Sequence, residues 1–157
     1  MKSDLHKELQ EIARNYAITK TYCLCGEEVP MPLGICDVWG MSRSLNLKTM
    51  AIEVKISKAD FRSRSQKFKE VGGYLGEHIL GNYQYILCPA NLIYPEEIHE
   101  RWGLLCWNGK RIINKKPAPE LAMTDEQKLK ILLYFLNNGS NEKRPLLKEE
   151  LLLIPTN

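Results

Sequence analysis

Along residues 50–56, M-A-I-E-V-K-I, apolar and polar side chains alternate at period two, which predicts a strand. Ile52, Val54 and Ile56 take one face; Glu53 and Lys55 share the other, with Ala51 beside them. Upstream, residues 33–40 (L-G-I-C-D-V-W-G) form a second apolar run that Asp37 interrupts. Residues 41–49 are polar enough for the connecting loop, and a hairpin centred near Leu45 sets residue 37 opposite residue 53. Directly opposed residues carry their Cβ atoms about 5 Å apart on one side of a sheet, so Asp37, Glu53 and Lys55 are expected to converge. A slip of one residue would turn Asp37 to the other face. The loop therefore decides the site.

The remaining elements follow the same kind of signal. Residues 3–16 read as a helix with Leu5, Leu9, Ile12 and Tyr16 on one stripe and Ser3 or Asp4 as its cap. Glu8 lies about 70° from the centre of that stripe and Glu11 about 130°, at 100° per residue. Glu8 thus borders the expected buried side and is preferred over His6 as a site residue. In residues 21–31, Thr21, Tyr22 and Leu24 suggest a strand that Pro30 and Pro32 would interrupt. Ser57 and Asp60 form a capping box for a helix carrying Phe61, Phe68, Leu75 and Ile79, bent or split at Gly72-Gly73. Residues 83–88 predict a buried strand, residues 95–100 a helical turn, and Asn108-Gly109 the type I′ turn of a hairpin. After Pro117 and Pro119, Thr124 and Gln127 cap a helix with Leu129, Leu132, Leu133 and Leu136, and residues 145–154 form an amphipathic tail. The order is that of an α/β domain with helices on a mixed sheet, residues 1–116, with residues 117–157 as a helical extension packed on the same domain.

Composition adds bounds. A chain of 157 residues suits one domain, and its apolar and charged fractions are those of a globular protein. No run approaches the length of a membrane span, and M-K-S-D-L-H-K-E is too charged for a signal peptide, so a cytoplasmic protein with no membrane partner is expected. The five cysteines, an odd number, argue against a disulfide framework. Cys36, Cys88 and Cys106 sit in apolar runs, where cysteine behaves as a small hydrophobe. The net charge of +3 is modest, but Lys55, Lys58, Arg62, Arg64, Lys67 and Lys69 face a single acid, Asp60, in one short segment. Such a concentration suits a polyanion.

Asp37 on one strand and Glu53-Val54-Lys55 on the next, after a helix bearing a glutamate, resemble the PD-(D/E)XK nuclease superfamily. Residues 51–63 (A-I-E-V-K-I-S-K-A-D-F-R-S), Lys67-Phe68, residues 83–89 (Y-Q-Y-I-L-C-P) and Trp102-Gly103-Leu104-Leu105 are similar to its small MmcB-like DNA-repair branch. The resemblance spans residues 3–113; Cys36 stands where the motif's name calls for proline. It implies a restriction-endonuclease-like αβββαβ core. It also implies Asp37 and Glu53 as ligands of Mg²⁺ or Mn²⁺, Lys55 beside the attacking water, and Glu8 completing the site. Lys58, Arg62, Arg64 and Lys67 would hold DNA, and a homodimer is the further partner such enzymes use to cut two strands.

Two opposed carboxylates repel unless a cation joins them, and hard oxygen ligands suit Mg²⁺ or Mn²⁺. Removing the charge of Asp37 is accordingly expected to relieve repulsion. The expected function is metal-dependent hydrolysis of DNA phosphodiesters in repair, recombination or restriction. The alternatives are a non-catalytic nucleic-acid-binding module on the same fold, and a structural α/β domain that acts through protein contacts.

Overall fold

The structure, a computed structural model, describes residues 2–31, 34–63 and 79–138. Helix α1 (Asp4–Thr19) is opened by Ser3, whose hydroxyl accepts the His6 N–H at 3.2 Å. Strands β1 (Leu24–Met31), β2 (Gly34–Ser42) and β3 (Lys48–Val54) follow as an antiparallel meander. Helix α2 starts at residue 58 and is described to residue 63. Ser57 caps it by accepting the Asp60 N–H at 3.0 Å, as the S-K-A-D spacing predicts. Strand β4 (Tyr83–Pro89) runs parallel to β3, β5 (Gly103–Trp107) parallel to β4, and β6 (Ile112–Lys116) antiparallel to β5. A 3-10 turn (Pro95–Glu97) lies between β4 and β5, and α3 (Asp125–Asn138) ends the described chain. The six strands stand in sequence order, giving a mixed sheet flanked by helices.

Each face of that sheet carries its own apolar layer. Leu9, Ala13 and Ala17 of α1 pack on Val38, Ile52, Val54, Leu87 and Leu105. On the other face Trp39, Ala51, Ile86, Leu104 and the buried thiols Cys36, Cys88 and Cys106 meet Ile131 and Phe135 of α3. The Trp39 and Phe135 rings stand 5.9 Å apart, and Trp39 donates its indole N–H to the Leu80 carbonyl at 3.2 Å. Covering both faces buries all of residues 49–55. The alternation in β3 therefore separates two buried layers, where the sequence pattern led one to expect an inner and an outer face.

Two elements depart from their predicted form. β1 runs through Pro30 without interruption, because it is the edge strand and can spare one ladder donor. In α1 the buried stripe is His6, Leu9, Gln10, Ala13 and Ala17, while Leu5 is 43% and Ile18 49% exposed. The small alanines let the helix approach the sheet, and the helix turns to bring them inward at the expense of larger apolar side chains. The cap of α3 is reciprocal, Thr124 N–H to Gln127 Oε1 at 2.9 Å and Gln127 N–H to Thr124 Oγ1 at 3.1 Å. Asn82 binds the segment before α3 to the sheet: its Oδ1 accepts the Thr49 N–H, and its Nδ2 donates to the Leu121 carbonyl, both at 2.9 Å. Among the described residues no helix is long and apolar enough to cross a membrane. The bend expected at Gly72-Gly73 and the tail expected over residues 145–154 lie outside the described residues.

Gly103 marks the closest approach in the sheet. A Cβ there would lie 2.6 Å from the Ala118 nitrogen and closer still to the Tyr85 ring. Gly103→Ala should therefore cost about 1–3 kcal/mol, the usual range for overpacking, read as a lower urea midpoint at unchanged slope. An unaltered midpoint would mean that the segment after β6 yields freely.

Candidate functional site

Strand register leads up to one rung, that of Asp37. β2 and β3 pair Val38 with Ile52 and Trp39 with Ala51, the register expected from a hairpin centred near Leu45, and the ladder stops one step short of Asp37 and Glu53. β1 and β2 pair Glu27 with Val38 and Val29 with Cys36, which leaves Glu28 opposite Asp37. Glu28 has φ 53°, a left-handed conformation uncommon outside glycine, and makes no ladder pair there. Lys55 lies just beyond β3, its N–H still donating to the Leu87 carbonyl at 2.9 Å. Asp37, Glu53 and Lys55 are all buried, at 3%, 2% and 2% exposure.

The β2–β3 ladder opens at this rung, and the Asp37 side chain takes over one of its bonds. Asp37 Oδ2 accepts the Val54 N–H at 2.8 Å. Its Oδ1 accepts from the Lys2 ammonium at 2.5 Å, and His6 Nε2 approaches the same oxygen at 3.6 Å. Lys2 is equally close, 2.5 Å, to Glu28 Oε1. Gln10 Nε2 donates at 3.0 Å both to Glu28 Oε1 and to the Asp37 carbonyl. Burial by itself would push the Asp37 carboxyl up; the contacts with His6, Lys2 and the Val54 N–H outweigh it and hold the group well below the carboxylate range. Lys2 is likewise opposed by partial burial, yet Asp37 and Glu28 raise it above its usual value. The buried Cys36 thiol is pushed up by desolvation first, then by the charges of Glu53 and Asp37.

The other expected residues are placed differently. The Lys55 ammonium stands 3.9 Å from Asp60, so the capping acid also meets the buried amine. Lys58 is held by Glu97, with Nζ 2.6 and 2.7 Å from its two oxygens and 5.7 Å above the Tyr94 ring. Arg62 is exposed on α2; Arg64 and Lys67 lie outside the described residues. Glu8 must be corrected. It is exposed on α1, two residues and so about 200° round from His6. The stripe expected from Leu5 and Ile12 was centred on the wrong side, and His6 and Gln10 reach Asp37 in its place.

Lys2, Gln10 and Glu28 escaped the sequence reading. Glu28 becomes visible only once Pro30 is accepted inside an edge strand, which continues the register back from β2. Lys2 carries no signal of its own, because one lysine ahead of a helix is ordinary.

The donor set suits a hard cation. Asp37 already presents Oδ1 to a positive charge, and Mg²⁺ commonly holds on to protein through one or two carboxylates while keeping several waters. Among the described residues no three His, Cys, Asp or Glu side chains stand together as a ready metal cluster. Such an ion would be held by few protein oxygens.

No family model and no curated protein matches the chain. A solved structure described as "SPO1766 protein of unknown function from Silicibacter pomeroyi" superposes with a TM-score of 0.63, covering 86% of this chain and 86% of that one at 20% identity. The similarity is one of fold.

Because Asp37 is paired with Lys2, removing its charge should destabilise the protein rather than relieve repulsion. Asp37→Asn is expected to lower unfolding free energy at neutral pH by roughly 1–3 kcal/mol, the scale of losing a charge-assisted hydrogen bond. A depressed carboxyl stabilises above its unfolded value of 3.8 and stops doing so as pH falls through the lower folded value. The gap between the wild type and Asp37→Asn should thus narrow in urea titrations below about pH 4. A gap independent of pH would show that shape, not charge, gives Asp37 its effect.

Proposed function

We propose that this chain is a metal-dependent nuclease hydrolysing phosphodiester bonds of DNA, in repair, recombination or restriction, on a restriction-endonuclease-like αβββαβ core. The observation that carries the reading is the burial of Asp37, Glu53 and Lys55 where the β2–β3 ladder ends, one step past its Val38–Ile52 pair. Buried charges are costly unless paired, several kcal/mol each, so three at one strand end call for a purpose beyond packing. The helix, three-stranded meander, helix and parallel fourth strand agree with such a core.

Mg²⁺ or Mn²⁺ held there would polarise the phosphate and make a bound water acidic. The chain's own part is to orient and to offset charge. Asp37, with one oxygen fixed by the Val54 N–H, would hold the cation through the other. Lys55 supplies an ammonium where negative charge grows in the transition state, and Asp60 at 3.9 Å keeps it in place. Arg62, with Arg64, Lys67 and a Lys58 released from Glu97, would hold the DNA backbone without reading bases. One observation favours the second reading, a non-catalytic binding module: Lys2 already neutralises Asp37. Cleavage abolished by EDTA and restored by Mg²⁺ separates the two.

Lys55→Met keeps most of the side-chain stem and removes the ammonium. Cleavage should fall about a hundredfold or more, the scale of losing one strong electrostatic donor. DNA affinity in Ca²⁺ should change by less than about 1 kcal/mol, because the lost interaction belongs to the transition state. Equal losses of affinity and rate would make Lys55 a phosphate-binding residue instead.

A further inference from the structure

Glu28 belongs to no role assigned above, yet its carboxylate and that of Asp37 converge on a single point. That point is the Lys2 nitrogen, 2.5 Å from Glu28 Oε1 and 2.5 Å from Asp37 Oδ1. Two carboxylates from different strands thus share one cation, which the chain itself supplies.

The surroundings are built for this. Gln10 fixes both partners at once, donating to Glu28 Oε1 and to the Asp37 carbonyl, each at 3.0 Å. Glu28 is kept at φ 53°, a backbone strain of the sort that persists where the fold overdetermines it. His6 is only 8% exposed, points Nε2 at Asp37 Oδ1 from 3.6 Å, and leaves its buried Nδ1 without a hydrogen-bond partner among the described residues. An imidazole so placed has capacity for a ligand or for water beside the carboxylates. The point is also reachable. Lys2, Glu28, Lys7 and Arg14 line a groove of about 500 Å³ between α1 and β1, and the Lys2 and Glu28 side chains are 33% and 32% exposed.

We infer that Glu28 and Asp37 form a divalent-cation site in which the Lys2 ammonium is a built-in occupant that the metal must displace. The inference rests on the reading of Asp37 as a metal ligand and extends it to β1, adding Glu28 as a ligand and Lys2 as an internal competitor. Its consequence is a tax on affinity: an ion meets a competent site only in the fraction of molecules whose Lys2 has swung into the groove. The device tunes occupancy to metal supply without changing a ligand.

The test is Mn²⁺ binding to the full chain, followed by the loss of the free-ion electron paramagnetic resonance signal and by water-proton relaxation, with no DNA present. Lys2→Met should bind Mn²⁺ about tenfold tighter, as expected when an occupant present about nine-tenths of the time is removed. Glu28→Gln should bind at least about tenfold weaker, since even outer partners of a metal contribute that much. Lys7→Met removes the same charge from the same groove without touching either carboxylate, and should move affinity less than about twofold in salt that screens it. Thermal melts identify any variant that does not fold. Should Glu28→Gln fail there, the comparison of Lys2→Met with Lys7→Met decides alone. Mn²⁺ bound equally by the wild type, Lys2→Met and Glu28→Gln overturns the inference and leaves the Asp37–Glu53 reading standing. Equal tightening by Lys2→Met and Lys7→Met also overturns it. Mn²⁺ bound by no variant overturns both readings together.

Discussion

A charged carboxylate sits almost wholly out of water at Asp37, and the fold around it is the means of keeping it charged. Desolvating an isolated carboxylate is expensive enough that such a group ordinarily takes up a proton instead. Here three donors oppose that tendency: the Val54 N–H on β3 and Lys2 ahead of α1 at hydrogen-bond distance, and His6 on α1 at longer range. Gln10 donates to the residue's carbonyl and so fixes its backbone rather than its charge. The outcome is a carboxyl held lower than in water although it is buried.

That constraint explains why α1 presents polar side chains to a sheet. A helix seated on β2 and β3 to bury apolar area alone would have turned Leu5 inward beside Leu9. It turns His6 and Gln10 inward instead and leaves Leu5 exposed. Ala13 and Ala17 contribute little apolar area, but their small size brings the helix axis near enough for a glutamine to reach the backbone of residue 37. Burying an extra leucine is worth about 1.5–3 kcal/mol. An unsatisfied buried charge would cost more, so the polar orientation prevails.

Much of the sheet was legible because it follows from periodicity and turn chemistry. The β2–β3 register and the Ser57 cap follow from spacing and residue type alone. The hairpin at Asn108-Gly109 was also legible, but not its turn: four residues join Trp107 to Ile112, and only Gly109 takes a positive φ, +90°, so it is not the expected type I′ turn. What was not legible depends on contacts remote in sequence. The rotation of α1 is set by Asp37, 27 residues beyond Gln10, and no helical stripe encodes it. Continuity of β1 through Pro30 depends on its place at the edge, which only the assembled strand order reveals. Lys58 reads as one of a basic cluster, but its partner Glu97 is 39 residues away, in an acidic turn whose spacing does not tie it to α2. Composition could show that the cations were concentrated. It could not show that one of them was already engaged.

That engagement changes how the site would meet a polyanion on the nuclease reading. Free surface cations gain affinity chiefly by releasing counterions, which gives a salt slope of about one unit per phosphate contact. A lysine that must first leave a carboxylate gains only the difference between two ion pairs, and that difference is small where both are exposed. Lys58 and Glu97 are both partly exposed, at 35% and 32% of their side chains, so their separation is inexpensive and the exchange close to balanced. Lys55 is different. Buried with Asp60 beside it, it has no solvent shell to recover if its partner is lost. Its ammonium is therefore oriented before any substrate arrives, and preorganised charge of that kind acts on the reaction more than on binding. The two lysines stand three residues apart on either side of the Ser57 cap. On the nuclease reading, their difference in burial suits one to chemistry and the other to reversible contact.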